Sequence, residues 1–151
     1  MVLLLVVGLF PAQAAAGIEP GQLSDALANA EHGEVIELDP GLFRGRFRVD
    51  TPVTLRGSPG TIIDGNGQGT PLTVAAPDVT ISRVLIRNGG RNLTELDAAI
   101  FLTSAASNAH IHSNWILARG FGIWIDKAAD VLVERNRITG DASIRSQDRG
   151  N

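Results

Sequence analysis

A repeat with a period of about 22 residues is the feature that most constrains the fold of this chain. Three stretches share an apolar-x-apolar pattern with a further apolar residue five positions on: Val79-Thr80-Ile81 with Ile86, Ala109-His110-Ile111 with Ile116, and Val131-Leu132-Val133 with Ile138. A second track runs beside them, because Ile100-Phe101-Leu102 recurs as Ile123-Trp124-Ile125. Short β segments at a fixed period are typical of a solenoid, in which one coil buries its inner face only by stacking on the next.

The alternation within each segment assigns side chains to the core. Residues at every second position of a strand face the same way. The predicted inward set is Ile81, Ile86, Ile100, Leu102, Ile111, Ile116, Ile123, Ile125, Val133 and Ile138. Asn114 and Asn136, one repeat apart, are expected to hydrogen-bond up the stack at one corner. A leucine-rich repeat would need a leucine consensus that is missing, and a β-sandwich shows no fixed period. We therefore predict an all-β, right-handed parallel β-helix.

The N-terminal third predicts an export signal and then a cap. Val2 to Phe10 is apolar and is followed by Pro11 and the small-x-small sequence Ala12-Gln13-Ala14. This run is too short to span a bilayer and is typical of a signal peptide, which we assign to residues 1–16. An extracytoplasmic protein without membrane insertion is expected.

Residues 17–33 are predicted to form a capping helix for the first coil. Leu23, Ala26, Leu27 and Ala30 would share one face of that helix, and Gly33 is placed to end it.

Residues 34–151 are predicted to form the coils. The interval from Ile81 to Ile111 is longer than one repeat, so an insertion at Asn88 to Leu96 should project from the stack. Arg149-Gly150-Asn151 resembles the approach to another strand, as Arg119-Gly120-Phe121 does one coil earlier. We therefore expect the solenoid to be incomplete at its C-terminal end.

Several segments together carry a resemblance to a known family. They are Gly33 to Gly45, Thr54 to Gly60, Ile63 to Gly67, Ala76 to Ile81, Leu96 to Phe101 and Asp148 to Asn151. The first resembles the opening of pectin-lyase-like and CASH-type β-helices, and the whole order is similar to the NosD family of nitrous-oxide reductase maturation proteins. That resemblance implies a periplasmic, non-catalytic accessory protein that assists copper-centre assembly with an ABC transporter. It implies that partner contacts lie mainly beyond Asn151.

The composition of the chain argues against nucleic-acid binding and against a Cu(I) site with sulfur ligands. The net charge is −3, with 13 Lys and Arg among 16 acidic residues, which gives no basis for nucleic-acid binding. Cysteine is absent and the single methionine is Met1, so the segment after the signal has no sulfur ligand for Cu(I). No cofactor is expected.

A polysaccharide-binding or polysaccharide-cleaving protein is the alternative, since glycoside hydrolysis needs two facing carboxylates. The available carboxylates are Asp64, Asp78, Asp97, Asp126 and Asp130. Several follow predicted strands, where Asp is common in turns. We therefore expect no catalytic residue among them.

Two further motifs are weak. His110 and His112 flank Ile111 and should both face outward, which makes them candidates for a Cu(II) or Zn(II) pair, although solvated side chains are the favoured interpretation. Gly65, Gly67 and Gly69 precede Pro71 and a β-like run rather than a helix, so they predict a turn and not a phosphate loop.

Three aromatic residues are candidate partner contacts. Phe101 and Trp124 each lie between two inward positions and are one repeat apart, so they should point outward on adjacent coils. Such a pair could stabilise the sheet or contact a partner. Trp115 lies near a predicted turn, and its direction is not fixed by the pattern.

Overall fold

The N-terminal end of the solenoid is covered by one short helix. The computed structural model describes residues 16–143. Helix α1 (Leu23–Ala28) buries Leu23 and Leu27 against the first coil. The predicted helix face is confirmed at Leu23 and Leu27, but the helix is shorter than residues 17–33 and ends at Ala28. Ala30 and Gly33 therefore lie outside it. Residues before it add a β-bridge instead, in which Ile18 pairs in parallel with Leu38.

Fourteen strands follow in the described residues. They are β1 (Val35–Leu38), β2 (Gly41–Arg44), β3 (Phe47–Val49), β4 (Thr54–Gly57), β5 (Thr61–Asp64), β6 (Leu72–Val74), β7 (Thr80–Ser82), β8 (Leu85–Arg87), β9 (Ala98–Leu102), β10 (His110–His112), β11 (Trp115–Ala118), β12 (Phe121–Ile125), β13 (Leu132–Glu134) and β14 (Arg137–Gly140).

Three parallel sheets run the length of the molecule. Sheet A has the order β1-β4-β7-β10-β13, sheet B has β2-β5-β8-β11-β14, and sheet C has β3-β6-β9-β12. Neighbouring strands within each sheet are parallel and come from successive coils, so each strand stacks on the strand three places earlier in the chain. The chain is therefore a parallel β-helix of about five coils, as the repeat predicts.

The observed register agrees with the repeat arithmetic. Ile111 pairs with Ile81 below and Val133 above, and Ile116 pairs with Ile138. The longer coil keeps this alignment because its extra residues, Asn88 to Leu96, lie between β8 and β9. The insertion is thus accommodated outside the strands, as predicted.

The predicted core is buried on the third coil and on β10 and β11 of the fourth, and it becomes exposed from the end of β12 onward. Ile81, Ile86, Ile100, Leu102, Ile111 and Ile116 are all fully buried. Ile125, Val133 and Ile138 are 43%, 39% and 50% exposed, so their assignment to a buried core is wrong for the described structure. Ile123 is partly buried. These residues keep inward positions and line an apolar cavity of about 300 Å³, but none of the residues up to 143 covers them.

An asparagine ladder secures the corner between sheets A and B, as predicted. Asn114 Nδ2 donates to Asn136 Oδ1 at 3.0 Å and to the Ile81 carbonyl at 3.0 Å. Asn114 Oδ1 accepts from the Val84 amide, and Asn136 Nδ2 donates to the Ile111 carbonyl. Asn114 is only 3% exposed, so its amide group satisfies backbone groups that water does not reach.

Two predictions fall on residues outside the described part of the chain. The signal peptide at 1–16 overlaps it only at Ala16, and the strand-like sequence Arg149-Gly150-Asn151 follows its last residue. Both stay predictions.

Replacing Ile111 by Ala should lower the free energy of unfolding by about 2–5 kcal/mol, because a fully buried inward position loses its contacts on two neighbouring coils. Urea unfolding followed by circular dichroism measures the change. Leu132→Ala is the matched control: it lies on the adjacent outward column of sheet A and is 51% exposed. Equal losses for the two variants would contradict the assignment of inward and outward columns.

Asn114→Ala should cost about 2–4 kcal/mol, since it leaves the buried Val84 amide and Ile81 carbonyl without their partner. Asn136→Ala, at the more exposed next rung, should cost about 1 kcal/mol because solvent can replace its bonds. Chemical unfolding of both variants provides the comparison. A smaller loss for Asn114→Ala than for Asn136→Ala would show that the ladder does not stabilise the corner.

Candidate functional site

The outer face of sheet C carries the predicted aromatic pair. Phe101 on β9 and Trp124 on β12 are direct register partners, and both are half-buried. The inward residues Ile123 and Ile125 line the cavity at the end of the stack, whereas Trp124 does not. The Trp124 ring lies 4.7 Å from the Phe121 ring, centroid to centroid, at a tilt of 51°. Aromatic packing on this face stabilises β12, and its use as a partner surface stays a prediction.

Trp115 lies on the outer face of sheet B in a column that sequence reasoning missed. Register pairs join Leu42 to Ile62, Ile62 to Leu85 and Leu85 to Trp115. Trp115 is 45% exposed, while the other three are half-buried. The column continues with Arg137, whose guanidinium lies 5.1 Å from the centroid of the Trp115 ring. Four successive coils therefore present apolar side chains outward in one line.

A signal for this column exists in the sequence. Each of its members directly precedes an inward residue, which gives the doublets Leu42-Phe43, Ile62-Ile63, Leu85-Ile86 and Trp115-Ile116. In a strand with one solvated face the outward partner is normally polar. Recurring apolar doublets at coil spacing thus indicate an outward apolar stripe.

The two histidines are close together on sheet A. The ring centroids of His110 and His112 lie 4.3 Å apart, and His110 Nε2 is 3.0 Å from Glu134 Oε1 on the next coil. Burial lowers the pKa of the His112 imidazole, and the neighbouring His110 lowers it further. The charge of Glu134 raises the same pKa but does not outweigh these effects. Among residues 16–143, no group of three or more His, Cys, Asp or Glu side chains is arranged to hold a metal ion.

Each candidate carboxylate has an identifiable local environment. Burial raises the pKa of Asp64, but hydrogen bonds from the Asn88 side chain, the Asn66 amide and Arg87 outweigh it and hold that pKa below its usual value. Asp64 is therefore an ionised member of an ion pair with Arg87, at 2.9 Å. Such a group is poorly suited to be a general acid, which needs a raised pKa.

The other carboxylates lie at corners of the solenoid. Asp78 and Asp130 have left-handed backbone conformations, with φ of 56° at each, and the Asn108 side chain between them donates to Asp78 at 3.2 Å. Asp97 accepts a hydrogen bond from the Asn92 amide within the insertion, at 2.8 Å. Asp126 continues from β12, its amide donating to the Leu102 carbonyl. These contacts agree with the turn interpretation of the sequence.

The glycine-rich segment is also a turn. Gly67 and Gly69 have φ of 80° and 54°, and a side chain at Gly65 would lie 2.8 Å from the Asn88 carbonyl oxygen. Strand β6 follows rather than a helix. The segment therefore has no helix N-terminus to bind phosphate.

Within residues 16–143, no helix is long and apolar enough to cross a membrane.

Comparison with known proteins identifies relatives of one name. No family model matches the chain. "Probable ABC transporter binding protein NosD" of Pseudomonas aeruginosa is 49% identical over 114 residues, covering 76% of this chain and 27% of the relative. The protein of the same name from Stutzerimonas stutzeri is 42% identical over 114 residues, covering 76% of this chain and 26% of the relative. The chain thus spans about a quarter of the length of these two relatives.

A third relative is matched over nearly its whole length, and a solved structure shares the fold. Another Pseudomonas aeruginosa protein named NosD is 32% identical over 103 residues, which is 68% of this chain and 89% of the relative. A pectin methylesterase mutant solved in complex with a hexasaccharide superposes with a TM-score of 0.61 at 14% identity, over 82% of this chain and 53% of that one. The solved structure supports the pectin-lyase-like fold alone. The NosD relative that is matched over 89% of its length establishes membership of the family. The chain belongs to the NosD family.

Proposed function

We propose that this chain forms part of a periplasmic accessory protein that assists copper-centre assembly of nitrous-oxide reductase beside an ABC transporter. The observation that carries the proposal is the identity of 32–49% to three relatives named NosD, one of them matched over 89% of its length. The relatives' name is the basis for proposing an ABC transporter as a partner. The resemblance described from the sequence is the basis for proposing nitrous-oxide reductase and its copper centres. Export through the signal peptide at residues 1–16 would place the protein in the same compartment.

Docking is a better-supported role than catalysis. Two of the carboxylates that a polysaccharide-cleaving site could use have local partners: Asp64 pairs with Arg87, and Asp78 accepts a hydrogen bond from the Asn108 side chain. The likeness to a pectin methylesterase is at 14% identity and concerns the fold. Fold does not determine function, because unrelated activities share such scaffolds.

The solenoid is suited to hold partners in a fixed arrangement. Its three sheets present outward columns at the regular strand spacing of about 4.8 Å, so a surface several coils long is rigid without any ligand. Phe101, Trp124 and Trp115 are the exposed or half-exposed aromatic residues proposed to contact partners. Aromatic side chains are enriched among residues that dominate binding energy.

Copper would be cargo of the assembly and not a resident cofactor of this segment. The chain has no cysteine and one methionine, Met1, so the soft ligands that favour Cu(I) are not supplied after the proposed signal. His110 is occupied by Glu134 at 3.0 Å. The segment would therefore act by positioning the proteins that exchange the metal.

Deletion of the full-length gene tests the proposal. The deletion strain should make and export nitrous-oxide reductase that contains less copper than the wild-type enzyme, because synthesis and export do not need the accessory protein. Copper per reductase is measured by mass spectrometry of the purified enzyme, with periplasmic immunoblots as the measure of export.

Complementation with the full-length gene is the control and should restore the copper content. Purified protein incubated with polygalacturonate or alginate should release no product. Normal copper loading in the deletion strain would overturn the proposal, and robust cleavage of either polymer would replace it with the carbohydrate function.

A further inference from the structure

The outward column on sheet B borders a groove whose chemistry fits one kind of partner. The groove has a volume of about 360 Å³ and lies across coils two to four. Its apolar wall includes Ile62, Leu85 and Trp115 from the column, and Pro59 and Val84 from the adjoining corner. Exposed Trp115 surface beside a concave apolar wall is a typical anchor pocket for a partner side chain.

The charged groups at this groove are arginines. Glu37, whose pKa is lowered by its hydrogen bond with Arg56 and also by the charge of Arg83, lies outside the lining and is already paired with Arg56. Arg83 lines it, and Arg137 continues the column directly above Trp115. Neither arginine forms an ion pair with a carboxylate of the described residues, whereas Arg87 on the same sheet does. No described residue that lines the groove has a carboxylate or carboxamide side chain. A bound anionic group would thus meet two available guanidinium groups and no acidic neighbour within the lining.

The fold fixes the backbone at both arginines, because Arg83 lies at a corner and Arg137 lies in β14. Arg83 has φ of 61°, and its equivalents on the next coils, Ser113 and Arg135, have φ of 57° and 53°. The corner is therefore a regular left-handed turn, stabilised on its inner side by the Asn114 ladder. Fixed backbone positions leave only the arginine side chains to be ordered when a partner binds, which lowers the entropic cost of binding.

We infer that this groove binds an extended peptide segment of a partner protein in which an apolar side chain and the carboxylates two residues before and after it face the groove together. Arg83 and Arg137 lie two coil steps apart, which is about 10 Å. Carboxylates four residues apart on one face of an extended peptide are separated by about 13 Å, and two long arginine side chains can reach both. An apolar side chain would enter beside Trp115 and Leu85, and the flanking carboxylates would pair with Arg83 and Arg137. The inference rests on the proposed function only in assuming that this chain docks a protein.

A sugar polymer fits this groove less well than a peptide. Aromatic sugar sites use a free ring face, but the Arg137 guanidinium lies over the Trp115 ring. Sugar hydroxyls are usually bound by carboxylate and amide side chains. The described lining offers neither: its polar side chains are Ser58, Ser113, Arg83 and Thr61, and the Thr61 hydroxyl is buried and bonded to backbone groups. Aliphatic side chains such as Ile62 favour a partner with apolar groups.

The test uses the full chain labelled with nitrogen-15 and reads the indole N–H signals. Trp115 and Trp124 are the two tryptophans, and they lie on different sheets, so one reports the groove and the other serves as an internal control. The probes are dodecapeptides in which every second residue is in turn Asp or Glu and Leu or Phe, with Ser between them, so that acids and apolar side chains share one face. The comparison probes are the same peptides with Lys in place of each acid, and oligogalacturonate. The acidic peptides should shift the Trp115 signal saturably and leave that of Trp124 unchanged, and the lysine peptides should shift neither.

Two variants and a matched control sharpen the result. Trp115→Ala, followed through backbone amides, and the double variant Arg83→Gln with Arg137→Gln should each weaken binding about tenfold or more. Arg91→Gln, an exposed arginine in the insertion, should keep the wild-type affinity within about twofold, as surface changes away from an interface do. Dispersed amide spectra confirm that each variant is folded.

Three outcomes would overturn the inference: no shift with any acidic peptide, equal shifts with the lysine peptides, or a Trp115 shift with oligogalacturonate alone. These results are separate from the deletion experiment. Peptide binding together with normal copper loading would keep the groove and reject the copper role, whereas copper loss without peptide binding would do the reverse.

Discussion

Parallel stacking of successive coils in one fixed register is the constraint on which the rest of this structure depends. Each strand is three to five residues long and could not be stable alone, because an isolated coil exposes its inner face. Stacked coils share backbone hydrogen bonds and bury one column of inward side chains per sheet, such as Ile81, Ile111 and Val133 on sheet A. The same register aligns the outward side chains, so core and surface are determined together.

Corner residues enforce that register. Asn114 bonds to backbone groups of the coil below and to Asn136 of the coil above, which a slip of one residue would break. Left-handed conformations at Arg83, Ser113 and Arg135 turn the chain from sheet A to sheet B at the same point in each coil. The polar corner therefore complements the apolar columns. A slip of two residues would keep the same faces of the strands inward, but it would break the bonds at the corner.

Much of this architecture could be predicted, because residues one repeat apart in the sequence are neighbours on successive coils of the solenoid. The regular period predicted the pairs Ile111–Val133 and Ile116–Ile138, and the longer interval before Ile111 correctly predicted an insertion in that coil. Burial could not be predicted in the same way. Ile125, Val133 and Ile138 occupy inward positions, but burial depends on a covering neighbour, which periodicity does not reveal.

The surface was harder to predict than the core. Phe101 and Trp124 were found as a pair because both follow the period, whereas the column from Leu42 to Trp115 was missed because its coils differ in length. The hydrogen bond between His110 and Glu134 of the next coil is made by side chains, and the apolar pattern does not predict such a contact. Function could not be predicted from the repeat. Similarity to known proteins identifies the family, and the peptide site proposed beside Trp115 depends on a groove that is visible only in the folded chain.

Engineered disulfides measure the register most directly, and the absence of cysteine from the chain gives a clean background. Thr80 and His110 are register partners across the coil that carries the insertion, and neighbouring parallel strands are close enough for a disulfide to form. The pair Thr80→Cys with His110→Cys should crosslink on mild oxidation, read by mass spectrometry of digested protein. Thr80→Cys with His112→Cys, offset by two positions, should remain reduced; efficient crosslinking of this offset pair instead would contradict the stacking on which the account depends.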